Sequence, residues 1–171
     1  MTSNNINLGS EKLRRFFITH LNRIYFAKLH LVKRLPEIAD LAHFNDLQQA
    51  IADTTDEVRK QISRMHTIYA LFNTEVTIET HKGLSGLVED AFSAVKLQGN
   101  DPELRDMSIL FYMQNIESVE MTSFQVLQIA AVKLKNEKVS ELLKENFEAA
   151  KNSRALLLMV TAKYITSVPV V

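Results

Sequence analysis

Glu117 and Glu120, three residues apart, stand in the middle of residues 103–131, ELRDMSILFYMQNIESVEMTSFQVLQIAA. At helical period one seam of this stretch runs Asp106, Leu110, Met113, Glu117, Glu120, Phe124, Leu127, Ala131. Steps of three and four residues keep these side chains on one face. The two carboxylates therefore point toward a core, where an unpaired charge is expensive. Something must neutralise them. A metal ion would make the chain a candidate metal enzyme, whereas a basic or polar partner from another helix would make the cluster structural.

The elements that would position such a cluster are helices. The chain has 171 residues with four Gly and three Pro, and it shows no hairpin dipeptides. That length suits one domain with a sizeable core. Residues 1–9 read as a disordered lead, and Ser10 as the N-cap of a first helix with the seam Leu13, Phe17, Leu21, Ile24, Lys28, Leu31, Leu35. Lys28 interrupts an apolar line, as the two glutamates do later. Pro36 predicts a kink or short break inside this helix.

Asn45 or Asp46 is the expected cap of a second helix, running to about Phe72 with Thr54 and Gln61 on its seam. Residues 73–82 read as a connector and 84–95 as a short helix. Asp101-Pro102 opens the third long helix as cap and first turn. The fourth runs from about 137 to 166, with Val139, Leu143, Asn146, Ala150, Ser153, Leu157 and Val160 facing inward, and 167–171 form a tail. The result is an all-α chain, a single four-helix bundle with a short extra helix in its 73–101 connection.

Several functions are excluded or disfavoured. There is no cysteine, which removes disulfides, thiolate metal sites and thiol catalysis. Twenty basic residues balance twenty acidic ones, so nothing draws the chain as a whole to nucleic acid. No apolar run approaches the roughly 20 residues of a membrane span, and no secretory segment is evident. The expectation is a cytoplasmic protein with neither nucleic-acid nor membrane partners. No Ser/Thr triad arrangement or phosphate-binding glycine loop appears. His20, His30, His43, His66 and His81 share no spacing with acidic residues that would define a site.

Five motifs, in order, resemble the YciF/YciE family of bacterial ferritin-like stress proteins. IYFAKLHLVKRLPEIADLA resembles the family pattern LYDAExQLxKALPxMAxxA, and LQQAIADTTDEVRKQISRM resembles LxxAFxxHLEETxxQVxRL. GLSGLVED resembles a GLIxEG turn. NDPELRDMSILFYMQNIESVEMTSFQVL resembles xDPALRDAALIAAAQxVEHYEIAAYGTL, and LLKENFEAAKNSRALL resembles LLxETLxEEKxADxKL. The resemblance spans roughly residues 15–165. It implies a ferritin-like antiparallel bundle that forms a homodimer, with positions able to hold two metal ions.

The departures lie at those positions. Lys28 stands where the family has glutamate, Thr54 and Ser118 where it has histidine, and Ala149, Ala150 and Arg154 at acidic positions of the last helix. Asp56, Glu57, Glu117 and Glu120 remain as candidate ligands. A two-metal bundle site needs about four carboxylates and two histidines. The expectation is therefore a non-catalytic bundle without cofactor, acting by self-association or through an unidentified protein partner. Its centre would be a charge cluster of Lys28, Glu117, Glu120 and Gln61. The alternative is a metal-dependent oxidase or iron-handling protein with a partial site at Glu117 and Glu120. Apolar residues on the outer side of the third long helix, Phe111, Tyr112 and Val119 among them, suit either a dimer face or cover from the short helix.

Overall fold

A computed structural model describes residues 8–77 and 83–167. Five helices follow in order: α1 (Ser10–Leu41), α2 (Asn45–Leu71), α3 (Gly83–Leu97), α4 (Pro102–Lys133) and α5 (Glu137–Ser167). The four long ones close a ring in which α1 packs on α2 and α4, and α5 on α2 and α4. Their cross-contacts show the directions. Tyr25 meets His66 and Asn22 meets Tyr69 between α1 and α2. Lys28 meets Glu120 and His43 meets Asp106 along α1 and α4, and Gln61 meets Asn146 where α2 faces α5. Numbers rise on one helix as they fall on its neighbour, so adjacent helices are antiparallel. His81 and most of the tail lie outside the described residues.

One helix runs through Pro36, so the break expected there is absent. Leu35 and Ile38, on either side, are both buried in the core, which holds the helix together across the missing N–H. The expected local caps also differ. Ser10 is the first residue of α1, and the N-cap position, Gly9, makes no side-chain bond. Asn45 is likewise already inside α2, and the backbone just before that helix is held from a distance. Asp106 on α4 accepts hydrogen bonds from the backbone N–H of His43 (3.0 Å) and Phe44 (2.7 Å). Its neighbour Arg105 donates to the Leu41 carbonyl at 2.9 Å. Two adjacent residues of α4 thus satisfy orphan groups at the end of α1 and in the link just before α2. Asp101 does cap α4, accepting from Leu104 N at 2.9 Å.

The short helix α3 lies across α1 and α4. It buries Val88, Ala91, Phe92 and Val95, and lines up with Tyr112, Met113 and Ile116 of α4. Val119 lies beside Leu84, Leu87 and Val88. Of the outer apolar residues on α4, Tyr112 and Val119 are therefore half-covered by α3, and Phe111 remains 61% exposed. At its rim Glu89 pairs with His30 and Arg34, and the Arg34 guanidinium sits 4.5 Å from the Phe92 ring.

Candidate functional site: a polar layer between two apolar halves

The apolar core is in two parts. One, toward the α1–α2 turn, includes Leu31, Leu35, Leu47, Ile51, Ile109, Leu110 and Leu157. The other includes Phe17, Leu21, Met65, Ile68, Phe124, Leu127 and Leu143. Between them every long helix contributes a buried polar side chain: Lys28 from α1, Gln61 from α2, Glu117 and Glu120 from α4, and Asn146 from α5. Each sits on its helix's inner seam, which is why a helix built to bury an apolar stripe also carries it inward.

Lys28 Nζ donates to Glu120 Oε2 at 2.5 Å, with the lysine side chain 0% exposed. The same ammonium lies 5.5 Å from the centre of the Phe124 ring, one turn further along α4. Glu117 is equally buried, yet its Oε2 has no hydrogen-bond partner. Burial, then the charge of Glu120, push the Glu117 carboxyl well above the ordinary carboxylate range, against the opposing pull of Lys28. Glu117 accordingly favours its neutral, protonated form. The ammonium thus balances Glu120, while Glu117 holds its proton to higher pH than a free carboxyl does.

Gln61 turns elsewhere. Its Nε2 donates to the Asn146 carbonyl at 3.2 Å, and Asn146 Nδ2 returns a bond to the Gln61 carbonyl at 3.4 Å. This reciprocal pair ties α2 to α5 instead of joining the Lys28–Glu120 contact. Of the other candidate ligands, Asp56 forms an exposed pair with Arg59. Glu57 binds Lys60 and Arg64 at the surface. Thr54 is buried, and its hydroxyl has no partner. Ser118 accepts from Arg154 of α5 and donates to the Gln114 carbonyl. Among the described residues no three of the His, Asp and Glu side chains converge as a metal-holding group.

The histidines are scattered. His66 bonds to the Tyr25 hydroxyl at 3.1 Å, and His30 pairs with Glu89. His43 contributes only its backbone N–H to Asp106. His20 lies apart, in a cleft between α1, α3 and α4. The reading from sequence missed that cleft and the capping role of Asp106. The sequence places Asp106 on the inner seam of α4 without a role, and its acidic type on an otherwise apolar line is the available signal.

An antiparallel bundle of four long helices, with a short helix in its one long connection and a polar layer across its middle, is of the ferritin-like, all-helical class. Residues 12–167 match the family described as a domain of unknown function, DUF892, and the chain belongs to that family. Protein YciF of Escherichia coli (strain K12) is 27% identical over 145 residues, 84% of this chain and 87% of that protein. The crystal structure of the E. coli stress protein YciF superposes with a TM-score of 0.86 at 25% identity, covering 91% of this chain and 98% of that one. The fold is shared by YcfI of Rhodopseudomonas palustris, with a TM-score of 0.78 at 23% identity over 92% of this chain and 98% of that one. No helix among the described residues is long and apolar enough to cross a membrane.

Proposed function

We propose that this chain is a non-catalytic, ferritin-like bundle whose centre is held by charge pairing instead of metal. It would act in the cytoplasm by self-association or by binding a protein partner. The observation that carries this reading is the 2.5 Å contact of Lys28 with Glu120. An ammonium there takes the carboxylate oxygen that a metal cation would use, and its charge opposes a cation nearby. The remaining donors fit a metal pair poorly. Glu57 is engaged by two basic side chains and Asp56 faces solvent, while Ala149 and Ala150 offer no donor on α5.

The feature favouring the metal-handling alternative is the unpartnered Oε2 of Glu117. The raised Glu117 carboxyl lowers the cost of burying that oxygen without a cation, though it supplies no partner for it. Elemental analysis of protein purified without chelator, from cells grown with iron and manganese, decides between the two. The expected content is well below one ion per chain. Close to two ions per chain, lost on Glu117→Gln, would overturn the proposal.

Support for self-association comes from α4. Between Arg105 and Lys133 its charged residues are Asp106, Glu117 and Glu120, and all three are buried. Its outer face is therefore free of α4 charge for most of the helix. That face carries Phe111, Asn115, Thr122, Gln125, Ile129 and Val132 at coiled-coil-like spacing. Ile129 and Val132 are 68% and 64% exposed. An uncharged seam of this length suits a second copy of the helix better than water. A link to stress rests on likeness to the E. coli stress protein.

A further inference from the structure

A cleft remote from the Lys28–Glu120 contact opens where the N-terminal half of α1, the start of α3 and the C-terminal half of α4 meet. Its volume is about 570 Å³, within the size range of small-molecule sites. Phe16, Ile24, Leu84 and Val126 make its walls apolar. The polar side chains of the lining are His20 and Arg23, from one turn of α1, and Thr122 and Ser123 of α4. Among the described residues that line the cleft there is no carboxylate.

The donors are unevenly distributed. Thr122 and Ser123 spend their hydroxyl protons on the carbonyls of Ser118 and Val119 in their own helix, leaving only lone pairs. Arg23 is exposed and forms no ion pair among the described residues. The His20 ring packs against Phe16 at a tilt of 50°, with centroids 4.4 Å apart. Burial, then the Arg23 charge, hold His20 below its ordinary value, so at neutral pH it is an uncharged imidazole with one N–H to give. The described lining thus presents one planar cation and one neutral donor beside apolar side chains. A guanidinium fork matches the two oxygens of a carboxylate.

We propose that this cleft binds an amphipathic carboxylate of the medium-chain fatty-acid class. The chain lies between Phe16, Ile24, Leu84 and Val126, and the carboxylate lies on Arg23 and His20. A primary amine would meet Arg23 as a like charge. A neutral alcohol of the same length would fill the wall without engaging the guanidinium fork.

Calorimetric titration of the full chain with decanoate below its micelle concentration tests this, with decanol and decylamine in parallel. Decanoate is expected to bind saturably, decanol to bind more weakly and decylamine not at all. Arg23→Gln should weaken decanoate by roughly tenfold or more, the loss of one charge-assisted contact. Val126→Trp, at a half-exposed position, should fill the cleft and abolish binding with the melting temperature unchanged. Absence of saturable decanoate binding, decanol binding as tightly as decanoate, or affinity unchanged in both variants would overturn the assignment. Because Arg23 and Val126 lie away from the polar layer, this result is independent of the metal analysis.

Discussion

Lys28 and Glu120 meet at 2.5 Å across the α1–α4 interface, with Glu117 one turn away and its outer oxygen unpaired. The lysine is thus committed to one of two neighbouring carboxylates. Intact, such a pair adds little net stability, because desolvating both ions offsets most of their attraction. Breaking it is another matter.

Lys28→Ala leaves Glu120 buried without its counter-charge and should cost roughly 3–5 kcal/mol at neutral pH. The loss should shrink in acid, where the orphaned carboxylates can take up protons. Replacing Lys28, Glu117 and Glu120 together by Met or Leu should be much milder than the single change. Urea melts at neutral and mildly acid pH measure all of this. A Lys28→Ala protein as stable as wild type at neutral pH would refute a structural role for the pair.

Glu117 gives a second pH-dependent expectation, with its own sign. Its carboxyl is raised in the folded state, so the fold binds a proton that the unfolded chain has released. That contribution is fully present below the unfolded carboxylate value and is lost as pH rises through the raised folded value. Glu117→Gln keeps the shape and removes the titration. The variant should be more stable than wild type at neutral pH, and the two should converge as pH falls toward the ordinary carboxylate range. Thermal melts across that interval would show a constant gap if Glu117 did not titrate with folding.

Asp106 is expected to matter as much as a core residue. It is fully buried, and its carboxylate accepts from two backbone N–H groups in the link just before α2. Asp106→Ala should cost about 2–3 kcal/mol. Amide exchange at His43 and Phe44 should accelerate more than exchange at the middle of α2. Equal acceleration throughout would mean that the carboxylate is not the local clamp.

Self-association is tested on the outer seam of α4. Sedimentation of the wild-type chain at tens of micromolar should give a dimer, and Phe111→Glu should shift it to monomer without lowering helix content. A wild-type monomer at that concentration would remove the support that the uncharged face gives to the proposal.

The helices, the seam positions of Lys28, Glu117 and Glu120, and the Asp101 cap of α4 are legible because each depends on near neighbours in the chain. Steps of three and four residues determine which side chains face inward, and Asp101-Pro102 is a self-contained signal. What escapes is everything that depends on how far one helix slides along another. The pairing of Lys28 with the two glutamates is expected from the seams, but that alignment selects Glu120 over Glu117 and turns Gln61 toward Asn146. It also brings Asp106, 63 residues away, to the amide of His43 in place of a cap by Ser or Asn nearby. The cleft at Arg23 is built by three helices at once and has no local signature. The continuity of α1 through Pro36 reflects tertiary burial overriding a local preference.

The polar layer also acts as a vernier for assembly. Apolar seams alone tolerate sliding, since a shift of one turn, about 5.4 Å, brings another leucine or isoleucine opposite each hole. With Lys28 on α1 and Glu120 on α4, the same slip would press an ammonium against hydrocarbon and strand a carboxylate a turn away. The Gln61–Asn146 exchange imposes the matching condition on α2 and α5. Two marks on opposite sides of the bundle therefore leave it one axial alignment, and misaligned packings are rejected by charge rather than by shape.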